Sequence, residues 1–513
     1  MLARIFSCTT VGMDPYLIEV EVDVSGGLPE FTIVGLPDTT VKESKERVRT
    51  AIKNAGFDFP PSKIIVNLAP ADIKKEGPGF DLAIATGILA ATGQLKADYL
   101  NDYILVGELS LDGSIRSVPG ILPMALFIHE QTTKSFLVAE DNKGEVALTP
   151  VQAYSFSSLS EVKEFLENTQ FYSKVEQQSL KDFLEIEWEV SYDFADVRGQ
   201  HLAKRALEVT AAGGHNLLLI GSPGCGKSLL AKCLASILPP LTPAEALEVS
   251  KVYSIAGLLN KDKPLITSRP FRSPHHTASA ASIIGGGVIP NPGEVTLATH
   301  GILFLDELPE YRRDVLESLR QPLEERVVTI SRVSAVITYP AKFQLVGAAN
   351  PCYCGYYGDG LRDCTCTPYQ VNKYRHKISG PLLDRIDLHV EVPRLAYQEL
   401  TGKKKEESSR EVQERVIKAR QRQLQRFSGQ GITCNAQMSG KEVGEYCRLK
   451  DEAKELLKRV YNKLGLSVRA HERILKIART IADLAGSEEL TTTHLAEALQ
   501  YRVLDQNQGF HLE

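Results

Sequence analysis

The spacing of hydrophobic and polar positions changes character twice along the chain. In the first stretch, Leu17–Val22 alternates apolar with polar residues, and Phe31–Val34, Tyr103–Val106 and Ser135–Val138 are short β-rich runs between turn signals. All four are predicted strands. Val41–Ala55 sets charges on one side and Val48, Ile52 and Ala55 on the other, and Asp81–Thr92 is almost wholly apolar. Both are predicted helices. The mixture predicts an α+β unit over residues 1–170, followed by a charged linker, 171–190, that carries the only tryptophan, Trp188.

From Phe194 the rhythm differs. A helix over His201–Ala212 leads into the apolar strand Asn216–Ile220, a glycine-rich loop and a helix over Leu229–Leu238. Apolar strands and helices alternate to Pro393, as in an open parallel sheet, so 191–395 is predicted as an α/β unit. Beyond it no strand pattern occurs. Helices are predicted over 409–427, with Val412, Val416, Ala419, Leu424 and Phe427 near one stripe, and over Asp451–Leu464, His471–Ala485 and Thr493–Leu504. Residues 396–513 therefore read as an all-α unit, with a solvated loop at 402–409.

Composition narrows the function classes. The 513 residues exceed one domain of about 150. With 59 basic against 64 acidic residues the formal charge is −5, so any nucleic-acid contact needs a local basic patch rather than bulk charge. The N-terminus carries no signal-peptide core, and the longest bland run, Leu82–Thr92, is too short to span a bilayer. The expected address is the cytoplasm, with no membrane partner. Four of the nine cysteines, Cys352, Cys354, Cys364 and Cys366, fall within fifteen residues. Sparse cysteines clustered in this way point to metal before disulfide, and four thiolates can close a tetrahedral Zn²⁺ site. Four free thiols in a reducing cytosol are the alternative.

The chemistry centres on Gly221-Ser222-Pro223-Gly224-Cys225-Gly226-Lys227-Ser228. This is the full phosphate-loop pattern, with a strand before it and a helix after it. Backbone N–H groups and the helix N-terminus cradle phosphates, Lys227 neutralises the β/γ-phosphate charge, and Ser228 ligands Mg²⁺. Downstream, Ile302-Leu-Phe-Leu ends in Asp306 and Glu307. A buried strand delivering acids at its C-terminal edge suits a metal-holding Asp306 and a Glu307 that orients and deprotonates the attacking water.

These strings, with Arg269-Pro-Phe-Arg-Ser-Pro-His-His276, Pro290-Asn-Pro-Gly-Glu294 and Ser379-Gly-Pro-Leu-Leu-Asp-Arg-Ile-Asp387, resemble the AAA+ ATPases. The nearest likeness is to the ComM/YifB family of the magnesium-chelatase-subunit-I-like branch. The resemblance implies an AAA+ P-loop core over 191–395 and a helical lid over 396–513. It implies that Asn350 is the sensor beside the γ-phosphate, Arg385 the finger completing a neighbour's site, and Arg469 the lid sensor, with Arg473 an alternative bearer. Arg385 could instead pair with Asp384 or Asp387. Residues 74–94 and 106–120 resemble the peptidase domain of Lon-type proteases. The dyad positions fall at Gly79 and near Leu122, so a Lon-like fold without peptidase chemistry is implied for 1–170.

In a ring of this branch, Arg269–Gly287 and the hairpin pattern Val327–Lys342 would face a pore. Arg272, His275, His276 and Arg332 are then candidates to grip DNA phosphates. The histidine pair could equally be a hydrogen-bonded turn or metal ligands. After the cysteines, Tyr369 and Lys373-Tyr-Arg375-His-Lys377 interleave aromatic and basic residues, a pattern that can grip a strand or merely start a solvated helix. The implied function is an ATP- and Mg²⁺-dependent hexameric helicase. It would promote branch migration during recombination in natural transformation, on single-stranded or branched DNA and with recombination proteins as partners. A chelatase-like or protein-remodelling ATPase is the competing reading. An active Lon-type protease is disfavoured by Gly79 and Leu122.

Overall fold

A computed structural model describes residues 1–96, 99–184, 192–287, 291–331, 336–395, 406–464 and 466–502. Trp188, Arg332 and residues 402–405 of the predicted loop lie outside them. The N-terminal part is built on a seven-stranded sheet in the order Glu30–Val34, Lys63–Ala69, Asp14–Ser25, Leu2–Val11, Tyr103–Leu105, Ser135–Ala139, Ala153–Phe156. The long hairpin Leu2–Val11 with Asp14–Ser25 is antiparallel, and the last four strands of the order run parallel. Thr39–Asn54 forms the first helix. Asp38 caps it by accepting from Val41 N, and Val41, Val48, Ala51 and Ile52 turn inward. The second helix, Asp81–Ala91, is buried at every residue, which is why its sequence shows no polar face.

The central sheet has five strands in the order Phe271–Arg272, Ile302–Leu305, Gln344–Ala349, Leu217–Ile220, Leu388–Glu391. Every pairing in it is parallel. The strand before the phosphate loop sits between later strands, so its C-terminal end opens where chain direction diverges to both sides, the place where such sheets bind ligands. Asn216, predicted as the first residue of that strand, is a clamp instead. Its side chain donates to Arg385 O and accepts from Leu345 N, and its N–H donates to Asp387. Beside the sheet, Val327–Ser331 and Val336–Pro340 pair as an antiparallel hairpin.

The C-terminal part is helical among the described residues: Ser409–Arg426, Gly440–Tyr446, Asp451–Leu464, Val468–Ala485 and Thr492–Gln500. The first of these starts at a reciprocal Ser408–Glu411 cap. Its buried stripe is Val412, Val416, Ala419 and Gln423, not Leu424, which is exposed. The spacing of four, three and four residues keeps Gln423 on the inner face, where its amide donates to Ala212 O and accepts from Asn435 N. One apolar cluster joins this stripe to helices His201–Gly213 and Lys227–Ile237 beside the phosphate loop.

Among the described residues, contacts in two regions tie the N-terminal part to the rest. Leu122 and Leu148 pack with Leu241, Ala246 and Leu265. Next to them, Glu145 accepts from Leu122 N and from the Ser254 hydroxyl. The hairpin turn at Gly12 lies on Ile337, so close that a Cβ at Gly12 would stand 2.2 Å from the Ile337 methyl.

Candidate nucleotide site

The helix Lys227–Ile237 begins at Gly226, whose φ of 95° only glycine adopts without strain. That turn folds Lys227 back over the loop. Its ammonium donates to Gly221 O at 2.6 Å, Ser222 O at 3.1 Å and Asn350 Oδ1 at 3.2 Å. The next residue, Ser228, donates to Asp306 Oδ2 at 2.8 Å, across 78 residues of chain. Asp306 ends the buried strand Ile302–Leu305, and its other oxygen accepts from Glu307 N. A hydroxyl and a carboxylate this close form a donor set suited to a hard, oxygen-seeking cation. Lys227 and a helix N-terminus alongside supply the positive charge that a polyphosphate requires.

Glu307 is held at φ 51°, the left-handed region that costs a non-glycine residue about 1–2 kcal/mol. The carboxylate is half exposed and lies 3.3 Å from His276 Nδ1. His276 stacks on His275 with ring centres 4.1 Å apart, and His275 Nδ1 lies 2.9 Å from the Thr277 hydroxyl. The histidine pair therefore has an acid beside it, supplied from 31 residues away, which its local sequence does not reveal.

The arginines occupy a different region. Arg385 is buried, donating through Nη1 to Pro381 O and through Nη2 to Glu324, with its Nε unpartnered. Neither Asp384 nor Asp387 is its partner. Asp387 instead faces Arg473 at 3.3 Å and His215 at 3.4 Å. Burial opposes the Asp387 charge, but His215 and Arg473 outweigh it and hold this carboxyl well below the usual range. Arg473 is thus committed to a buried pair, whereas Arg469 is exposed in the first turn of Val468–Ala485. The Glu324 carboxyl is drawn down first by its bond to Arg385 and further by the nearby charges of Arg469 and Arg320. Glu324 thus bonds Arg385 and lies within the electrostatic reach of Arg469. It was not singled out in the sequence, where nothing local marks it.

Of the residues suggested for DNA, Arg272 makes two bonds to Glu294, at 2.7 and 2.8 Å. A phosphate would have to compete with that fork. Lys373 is exposed on the helix Pro368–Arg375, and the Arg375 guanidinium lies 5.1 Å from the centre of the Tyr357 ring. Tyr374 is buried and stacks edge-on against Tyr353, with Lys377 over both rings and paired to Glu310.

The four clustered cysteines do converge. Their Sγ atoms all lie within 4.8 Å of one another, a group that could hold a metal ion.

Three family descriptions match along the chain: the magnesium chelatase, subunit ChlI, over residues 193–400, subunit ChlI of Mg-chelatase over 20–142, and the ChlI C-terminal region over 406–502. The competence protein ComM of Haemophilus influenzae is 45% identical over 510 residues, covering 98% of each chain. The YifB protein of Escherichia coli is 44% identical over 511 residues, covering 98% of this chain and 97% of its own. The magnesium-chelatase 38 kDa subunit of Cereibacter sphaeroides is 24% identical over 176 residues, 31% of this chain and 53% of its own. No described helix is long and apolar enough to cross a membrane. The central parallel sheet with its helical C-terminal part is consistent with the AAA+ architecture of the chelatase subunit, and likeness over nearly the whole length means that the chain belongs to the ComM/YifB family of magnesium-chelatase-subunit-I-like proteins.

Proposed function

We propose that this chain is an ATP-driven DNA motor. It would work as a ring of six that promotes branch migration during recombination of incoming DNA in natural transformation. The observation that supports it most is the separation of two cationic groups. Lys227 contacts Asn350 and Ser228 contacts Asp306 at the phosphate loop, while Arg385 bonds Glu324, whose carboxyl is also drawn down by the charge of Arg469. A neighbouring protomer would bring that second group against the triphosphate. The competence name of the Haemophilus relative supports the process, and the chelatase likeness keeps protein remodelling as the alternative.

In this reading, Lys227 and the loop N–H groups hold the β/γ-phosphates. Ser228 and Asp306 would hold Mg²⁺, which supplies charge neutralisation between the phosphates. Asn350 orients the attacking water, and Glu307 accepts its proton. Arg385 and Arg469 of the adjoining protomer meet the charge that develops on the γ-oxygens. His276, in the segment 269–287 proposed to touch DNA together with Arg272, His275, Arg332, Lys373 and Arg375, contacts Glu307 directly. Occupancy of that segment thereby reaches the catalytic acid. Residues 1–170 serve as a Lon-like assembly module without peptidase chemistry, since Leu122 is buried in an apolar contact and Gly79 has no nucleophile. Domain limits follow at 171–190 for the linker, 191–395 for the ATPase core and 396–513 for the lid.

ATPase turnover measured with single-stranded, forked and four-way DNA, and separately with unfolded protein, tests the reading. Stimulation by DNA is expected; stimulation by protein alone would reject it.

A further inference from the structure

The cysteine loop is more than a staple on the surface. Cys352 is fully buried two residues after Asn350, at the end of the strand Gln344–Ala349. Its Sγ lies 3.3 Å from that of Cys354 and 3.6 Å from that of Cys364, and Cys354 and Cys364 are 3.5 Å apart. Cys354 N donates to Cys366 Sγ at 3.4 Å. Tetrahedral zinc–thiolate bonds of about 2.3 Å place the sulfurs about 3.8 Å apart, so this donor set is already near the size of a Zn²⁺ shell.

What the loop touches gives the cluster a role. Gly355, at φ 85°, lies flat on the phosphate loop: a Cβ there would stand 2.7 Å from Pro223 Cδ and 4.0 Å from Asn350 Cγ. Asp359, four residues on, has a side chain with no solvent exposure. Its carboxylate accepts from Leu361 N, the Ser222 hydroxyl lies beside it, and Arg394 is 3.9 Å away. Tyr353 carries the chain on to Tyr374 and Lys377, and Lys377 pairs with Glu310, three residues past Glu307. The segment 352–377 therefore abuts the phosphate loop at Ser222 and Pro223, the sensor at Asn350 and the turn after Glu307. Few apolar side chains in 352–366 are buried to hold it in that position.

We propose that Cys352, Cys354, Cys364 and Cys366 bind one Zn²⁺, and that the metal fixes this segment as a wall of the nucleotide site, so that nucleotide affinity depends on zinc. The inference rests on the nucleotide reading above. Zinc replaces the missing apolar core, and rigidity passes to Pro223 and Ser222 through the close approach at Gly355. Loss of metal frees the wall, and the phosphate loop loses the surface that confines it.

The test uses the full chain purified under reducing, chelator-free conditions. Metal analysis is expected to find about one zinc per chain, lost in Cys364→Ser/Cys366→Ser. Titration with a fluorescent ATP analogue is expected to show affinity about tenfold weaker or more after metal removal, recovered when zinc is returned. Gly355→Ala is the second variant, should the serine variant fail to fold. It keeps all four thiols and its zinc but drives the wall off Pro223, and the same weakening is expected. Absence of bound zinc overturns the proposal. So does unchanged nucleotide affinity in the stripped chain or in Gly355→Ala. Lys227→Ala separates this from the nucleotide reading: if it loses binding while stripping zinc has no effect, only the zinc coupling falls. If it still binds nucleotide, the site itself is misassigned and the proposal goes with it.

Discussion

The two groups of phosphate-seeking residues in this chain are held in opposite ways. Around the phosphate loop, cation and acceptors belong to one working set: Lys227 rests on Gly221 O, Ser222 O and Asn350, and Ser228 rests on Asp306. At Glu324, Arg385 is bonded to an acid outside the phosphate loop, and the charge of Arg469 also acts on that acid. The first set needs only substrate and cation. In the proposed ring, the second would hold its charge in check until something more anionic arrives. Glu324 on Arg385 would then keep one protomer from completing its own site, and assembly would become a condition for turnover.

The comparison breaks most readily at Lys227. Lys227→Ala removes the side-chain ammonium that rests on the loop, and both nucleotide binding and turnover are expected to fall to background in an ATPase assay at any protein concentration. Arg385→Ala comes next. A finger supplied by a neighbour is worth about 10³–10⁵ in rate, and turnover should drop by that order while nucleotide binding persists. Mixing it with Glu307→Gln should restore part of the rate, because one mixed interface then combines an intact phosphate-loop face with an intact arginine. No recovery on mixing would place both groups in one protomer's site and dissolve the distinction.

How much of this was legible beforehand follows from how far each interaction reaches along the chain. The phosphate loop is a contiguous string, because the backbone itself wraps the phosphate, and its helix and strand flanks are local patterns. Asp306 and Glu307 were readable 78 residues away from Ser228 because an apolar run ending in acids marks a strand edge without reference to its partner. The Glu324–Arg385 pair, 61 residues apart, leaves no such mark: Glu324 is one of two adjacent acids at the end of the short helix Arg320–Glu325. The same limit applies to His276 and Glu307, and to Gly355, whose contact with Pro223 depends on where two loops meet. Leu424 departs from its predicted place for a different reason. Hydrophobicity alone puts it on the stripe, while helical spacing assigns that place to Gln423, whose amide finds partners inside.

His276 allows a smaller test of the link between the two sets. Its ring is 3.3 Å from the Glu307 carboxylate, so His276→Ala frees that acid from the 269–287 segment. Unstimulated turnover should change by about twofold to fivefold, the scale of a part-exposed polar contact, and stimulation by DNA should be largely lost. Retention of full stimulation would show that the segment signals by another route.

Glu324→Gln carries the smallest expected effect and the sharpest sign. The Glu324 carboxylate is half exposed, so its pairing with Arg385 is screened and worth about 0–1 kcal/mol. Removing the charge leaves a hydrogen-bond acceptor for the guanidinium but weakens the competition that an incoming triphosphate must overcome. Turnover should therefore reach half-maximum at a protein concentration about twofold to fivefold lower, with the rate at saturation unchanged. The shift should shrink in high salt, because the wild-type pair is then screened already. If Glu324→Gln instead lowers the saturated rate as Arg385→Ala does, the acid aims the arginine rather than restraining it, and the second set is as pre-assembled as the first.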